Sequence, residues 1–127
     1  MNAINWFEIP ATDFDRAVKF YETALGISMH REVFAGDPNA FFPYAQGQGV
    51  GGSVVKADYA KPSAEGAVVY INAGTRSQLE ASLARVEAAG GAVLRPATDM
   101  GEIGTIAFIR DTEGNHVGLH VQPENRS

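Results

Sequence analysis

Trp6-Phe7-Glu8-Ile9-Pro10-Ala11-Thr12-Asp13-Phe14-Asp15-Arg16-Ala17-Val18-Lys19-Phe20-Tyr21 changes its period midway. The stretch from Ala3 to Ile9 reads as a strand. After it, Phe14, Ala17, Val18, Tyr21, Ala24 and Leu25 recur at helical spacing, and Gly26 supplies a stop. Thr12-Asp13-Phe14-Asp15 has the form of a capping box, a hydroxyl at the N-cap with a carboxylate three residues on. The same plan returns later. Ala67 to Ala73 is a strand leading into Ser77-Gln78-Leu79-Glu80, a second capping box; Leu79, Leu83 and Val86 form the apolar stripe, and Gly90-Gly91 end the helix.

The remaining segments predict strands. Ile27 to Val33 follows the first helix and Ala92 to Arg95 the second. Short strand pairs come next: Phe41–Gln46 with Val50–Ala57, joined by Gly47-Gln48-Gly49, and Thr105–Arg110 with His116–Gln122, joined by Asp111-Thr112-Glu113-Gly114-Asn115. Lys61-Pro62-Ser63 reads as a linker. The order is βαβββ twice, over residues 1–60 and 66–122, with a period of roughly 62–64 residues. Neither half can bury both faces of its sheet alone. The expected fold is therefore α+β, a single domain over residues 1–127: a curved mixed sheet around a cleft, with the helices on the outer face.

Composition removes several functions. A chain of 127 residues with 45% hydrophobic and 20% charged residues is globular rather than disordered. The absence of Cys excludes disulfides, thiolate metal sites and cysteine nucleophiles. Ten Lys and Arg against fifteen Asp and Glu, the basic residues scattered singly, give no cationic stripe for nucleic acid. Apolar runs such as Gly66 to Ile71 are too short to span a bilayer, and the first residues lack the pattern of a signal peptide. A cytoplasmic protein without nucleic-acid or membrane partners is expected.

Trp6 to Asp13 running into Arg16-Ala17-Val18-Lys19-Phe20-Tyr21, then Leu25-Gly26, Val86-Glu87-Ala88-Ala89-Gly90-Gly91 and Phe108-Ile109-Arg110-Asp111-Thr112-Glu113-Gly114-Asn115, resemble the vicinal-oxygen-chelate superfamily of glyoxalase I, bleomycin-resistance proteins and extradiol dioxygenases. The resemblance covers nearly the whole chain and implies a homodimer. It also implies one divalent ion held by His, Glu or Gln side chains on the first and fourth strands of each repeat, chelating neighbouring substrate oxygens. Counted from Asp13, Thr75 and Gly114, the corresponding positions are Trp6, Val68 and Gly118, with the fourth near Gly51 or Gly52. None of these side chains donates to a cation, so the expectation is no metal and no cofactor.

Strand alternation sorts the rest. Phe7, Ile9, Ala11, Val69, Ile71, Ala73, Val117, Leu119 and Val121 should face the core. Trp6, Glu8, Tyr70, Asn72 and His120 should line the cleft, with Val68 and Gly118 beside them. Glu8 is a candidate general base if desolvated, and His120 a candidate proton shuttle. A solvated or paired Glu8, a packing Trp6 and a hydrogen-bonded structural His120 are the plain alternatives. Tyr70 and Asn72 suit ligand orientation. His116 should be exposed at a turn edge, and at strand rise it lies about 13 Å from His120, too far to share an ion. His30 is on a separate strand. Thr98 to Gly104 reads as a loop able to close over the cleft, or as a plain mobile one. Three functions follow: binding of a small, aromatic or cationic organic molecule in an acidic, Trp-lined cleft; a cofactor-free isomerase or lyase using Glu8 and His120; and a metal-dependent glyoxalase or dioxygenase, which the missing donors disfavour.

Overall fold

The computed structural model describes residues 2–44 and 49–123. Its elements run β1 (Trp6–Pro10), α1 (Phe14–Leu25), β2 (His30–Phe34), β3 (Asp37–Phe41), β4 (Gly51–Val55), β5 (Tyr70–Asn72), α2 (Arg76–Val86), β6 (Ala92–Asp99), a short 3-10 helix (Gly101–Ile103), β7 (Thr105–Arg110) and β8 (His116–Val121). Two four-stranded mixed sheets result, ordered β1-β4-β3-β2 and β5-β8-β7-β6. In each, the first strand pairs in parallel with the last while the other pairs are antiparallel. The α+β architecture of two βαβββ units is present, as two separately hydrogen-bonded sheets.

Both helices start at different residues from those expected. Asp13, not Thr12, caps α1, its carboxylate accepting the Arg16 N–H at 3.1 Å. A carboxylate is favoured over a hydroxyl at the positive end of a helix, and the Thr12 N–H has another acceptor, Glu113. On α2 the box is Thr75 with Gln78, two residues before the expected Ser77 with Glu80; each side chain takes the other's backbone N–H. Gly26 ends α1 in the left-handed region, φ +67°, and its N–H closes on the Glu22 carbonyl. Such a cap is nearly strain-free only for glycine.

The largest shift in the first repeat is at β3. The expected strand from Phe41 to Gln46 begins earlier, at Asp37, and Gln46, Gly47 and Gln48 lie outside the described residues. Phe34 pairs with Asp37 across Ala35 and Gly36, both at positive φ, which makes a two-residue hairpin turn of the type that matches strand twist. Asp37-Pro38 has the composition of a turn, yet it is strand. Pro38 lacks an N–H, and its carbonyl accepts from Lys56.

The alternation read from the sequence holds in the core. Ile9, Ala11, Ile71, Val117, Leu119 and Val121 are buried, and Phe7, Val69 and Ala73 pack partly buried against them. One apolar cluster joins both halves, from Val18 and Tyr21 on α1 to Leu79 and Val86 on α2. Arg85 adds a polar tie between the helices, its Nε donating to the Ala24 carbonyl at 3.0 Å. Phe20, outside the expected stripe, is almost fully buried and meets Tyr21 edge-on.

Candidate functional site

Trp6 and Glu8 stand on one face of the first sheet, two residues apart on β1, opposite Gly51 and Ser53 of β4. Phe41 of β3 shares that face, since it pairs with Ser53. The Trp6 and Phe41 rings meet edge-on at 5.7 Å between centroids, and Phe34 tilts against Phe41 at 5.5 Å. Together with Tyr59, Asp37 and Glu8 they line an open cavity of about 440 Å³. Glu8 accepts a hydrogen bond from the Tyr59 hydroxyl at 2.7 Å. That bond, some burial and the nearby charges of Glu8 and Asp37 raise the Tyr59 pKa above its ordinary value.

The five residues expected in one cleft do not share one cavity. Trp6 and Glu8 line the cavity just described, whereas Tyr70 and Asn72 line another of about 590 Å³ between the repeats. His120 faces the loop after β6: its Nε2 donates to the Ile103 carbonyl at 2.6 Å. Glu8, the candidate general base, and His120, the candidate proton shuttle, thus have their hydrogen bonds with different partners. The expected loop from Thr98 to Gly104 is shorter than read, because β6 continues through Asp99 and a 3-10 turn follows. His116 is not simply exposed. Its ring sits edge-on against Phe108 at 4.8 Å, and Nε2 is shielded from solvent. Val68, half exposed, lies before β5 rather than within it.

Phe34, Phe41, Tyr59 and Asp37 were not among the candidates read from the sequence. Three of them follow from the register of β2 and β3, which the turn-like Asp-Pro pair concealed. Tyr59 lies between elements, where no periodicity marks it.

The structure's own repeat aligns the four positions that the resemblance implies for a divalent ion. The Ala11 N–H bonds to the Val55 carbonyl and the Ala73 N–H to the His120 carbonyl, so these points correspond. Two residues back along the last strand of each repeat are Ser53 and Gly118. The first-repeat position is therefore Ser53, not Gly51 or Gly52. Its buried hydroxyl donates to Asn39 Oδ1 at 3.0 Å. Gly118 pairs with Tyr70, whose ring occupies the space a Cβ would take. With Trp6 and Val68 completing the set, the residues present do not fit a divalent ion. Among the described residues, no group of three or more His, Asp or Glu side chains is arranged to hold a metal.

The rings also explain the glycines. Tyr44 covers Gly51, Phe7 covers Gly52 and Tyr70 covers Gly118. Aromatic rings thus cover glycines on both β4 and β8, and at Gly118 the ring stands where the resemblance implies a metal ligand.

The family model described as Glyoxalase/Bleomycin resistance protein/Dioxygenase superfamily matches residues 3–119. A glyoxalase/bleomycin resistance protein from Albidiferax ferrireducens T118 superposes with a TM-score of 0.70 at 17% identity, over 96% of this chain and 100% of that one. A glyoxylase/bleomycin resistance protein/dioxygenase domain from Frankia sp. EAN1pec gives a TM-score of 0.70 at 15% identity, over 96% and 98%. A glyoxalase I mutant from Zea mays gives 0.69 at 22% identity, over 95% of this chain and 46% of that one. At these identities the likeness is one of fold. No curated protein matches the chain significantly.

Proposed function

We propose that the chain, which belongs to the Glyoxalase/Bleomycin resistance protein/Dioxygenase superfamily, binds a small organic cation, without a metal, in the aromatic cavity of its first sheet. The observation that carries this reading is the Glu8 carboxylate beside Trp6, Phe34, Phe41 and Tyr59. Its described hydrogen-bond partner is the uncharged Tyr59 hydroxyl, and no Lys or Arg is among the described lining residues. Asp37 adds a second carboxylate. Aromatic faces attract cations, each contact contributing about 0.5–2 kcal/mol according to how far water is excluded. The two carboxylates select the sign of charge, while the rings supply apolar area.

The sequence contains one tryptophan, so Trp6 fluorescence reports directly on this cavity. Titration with choline should change the emission, and its uncharged isostere 3,3-dimethylbutan-1-ol should bind far more weakly. Trp6→Ala should weaken choline binding, and Glu8→Gln should narrow the gap between the two probes. Equal binding of both probes to the parent protein would overturn the assignment. Elemental analysis of protein purified without chelator tests the other half of the reading. Substoichiometric metal is expected, and one equivalent per chain would restore a metal-dependent function.

A further inference from the structure

We propose that the cavity between the two repeats is a second small-molecule site, independent of the first, and that it takes an apolar monocarboxylate. Its volume is about 590 Å³, within the range that holds drug-sized ligands. Phe7 and Phe42 wall it from the first repeat, and Tyr70, Asn72, Gln78 and Arg85 from the second.

The polar atoms set the sign of the ligand's charge. Asn72 Oδ1 accepts the Gly74 N–H at 2.9 Å, and Gln78 Oε1 accepts the Thr75 N–H at 2.8 Å. Each amide is thereby oriented with its oxygen on the backbone, and the two NH₂ groups have no hydrogen-bond partner among the described residues. Arg85 donates through Nε to the Ala24 carbonyl and, at 3.5 Å, from one terminal nitrogen toward Ser82. Its other terminal nitrogen has no hydrogen-bond partner among the described residues. Gln78, Ser82 and Arg85 follow one another at four- and three-residue spacing, so they share one face of α2. The side-chain nitrogens left without a partner on Asn72, Gln78 and Arg85 are all N–H donors. No Asp or Glu is among the described lining residues, although the chain carries a net charge of −5. A carboxylate satisfies guanidinium and amide donors together through charge-assisted bonds, and an aryl or alkyl tail then lies along Phe7, Phe42 and Tyr70.

The test is calorimetric titration of the whole chain with 4-phenylbutyrate, 4-phenylbutanamide and 4-phenylbutylamine, three probes sharing a tail and differing in the head. The carboxylate should bind at least about tenfold more tightly than the amide, and the amine more weakly still. Gln78→Glu is the matching variant, because a glutamate oxygen can still accept the Thr75 N–H and keep the capping box. It should retain the parent's thermal midpoint yet weaken 4-phenylbutyrate at least about tenfold, since it adds a like charge to the lining. The proposal fails if the amide or amine binds as well as the carboxylate, if Gln78→Glu binds it unchanged, or if no probe binds at millimolar concentration.

Discussion

Glu113, in the loop between β7 and β8, reaches across to the first repeat and takes the Arg16 Nε–H at 2.7 Å. The same carboxylate accepts the N–H groups of Thr12 and Asp13 at 2.9 and 2.7 Å, so the second repeat caps the first helix of the other. The Glu113 side chain is inaccessible to solvent while that of Arg16 is half exposed. The bond's importance therefore lies in the backbone donors that Glu113 satisfies more than in the surface charge pair. Glu113→Ala should cost about 1–3 kcal/mol, because it leaves N–H groups without their acceptor. Urea denaturation measures this as a lower midpoint with an unchanged slope.

The same residue governs an acid limb of stability. Burial pushes the Glu113 carboxyl upward, but the bonds from Arg16, the Asp13 N–H, Thr112 and the Thr12 N–H outweigh it and hold the pKa below its ordinary value of 4.5. A depressed folded-state pKa contributes stability above the unfolded value and loses it as pH falls through the folded one. Stability should decline below about pH 4.5, and Glu113→Gln should decline less steeply there. Denaturant midpoints taken at intervals from pH 6 to pH 3 check the sign.

Tyr21 governs the alkaline limb. Complete burial, the charge of Asp111 and the hydrogen bond to Asp111 Oδ2 at 2.6 Å raise its pKa well above 10.0. Here the folded protein keeps a proton that the unfolded chain releases, so stability is complete below pH 10 and falls as pH rises beyond it. Tyr21→Phe should flatten that fall. At neutral pH it should destabilise by about 1–2 kcal/mol, since it removes a buried charge-assisted bond. Asp111 retains three donors, the N–H groups of Glu113 and Asn115 and the Asn115 side-chain amide, so the loop should keep its shape.

The glycines under aromatic rings separate two kinds of close packing. A Cβ at Gly52 meets the ring of Phe7, which is partly buried and tilted against Phe42 at 5.5 Å between centroids. A Cβ at Gly118 meets the ring of Tyr70, which is 49% exposed and tilted against Phe108 at 5.9 Å between centroids. Gly52→Ala should therefore cost about 1–3 kcal/mol and Gly118→Ala distinctly less. Combining Gly118→Ala with Tyr70→Ala should be less destabilising than the sum of the two, a coupling that a double-mutant cycle reads from thermal or urea midpoints.

The fold was legible because its signals are periodic. Apolar alternation on β1 and β8 and the helical spacing of Ala17, Val18, Tyr21 and Ala24 each carry the burial they predict. Cap positions slipped by one or two residues because hydroxyl, carboxylate and amide side chains stand side by side at both helix starts. Choosing between them depends on acceptors such as Glu113, which arrive from distant sequence. The site was legible only in part. Trp6 and Glu8 do share a cavity, but the Phe34 and Phe41 rings come from a hairpin whose second strand opens on the turn-like Asp37-Pro38, and Tyr59 comes from between elements. Alternation says which face a residue takes, and not how two separate sheets divide that face between cavities.

His120 supplies the last distinction, between a proton shuttle and a structural latch. Its Nε2 donates to the Ile103 carbonyl in a turn closed by Gly101 and Gly104, and the Met100 N–H bonds back to the Gly104 carbonyl at 2.7 Å. A latch predicts a local effect. His120→Ala should speed hydrogen exchange at the Met100 and Gly104 amides, since the turn loses its tie to β8. Amides of α1, whose packing involves Tyr21 and Phe20, should keep their protection relative to global stability. Choline binding at Trp6 should be unchanged within error, because His120 does not line that cavity. A large loss of choline affinity in His120→Ala, with exchange at Met100 and Gly104 unaltered, would instead place His120 in the ligand site.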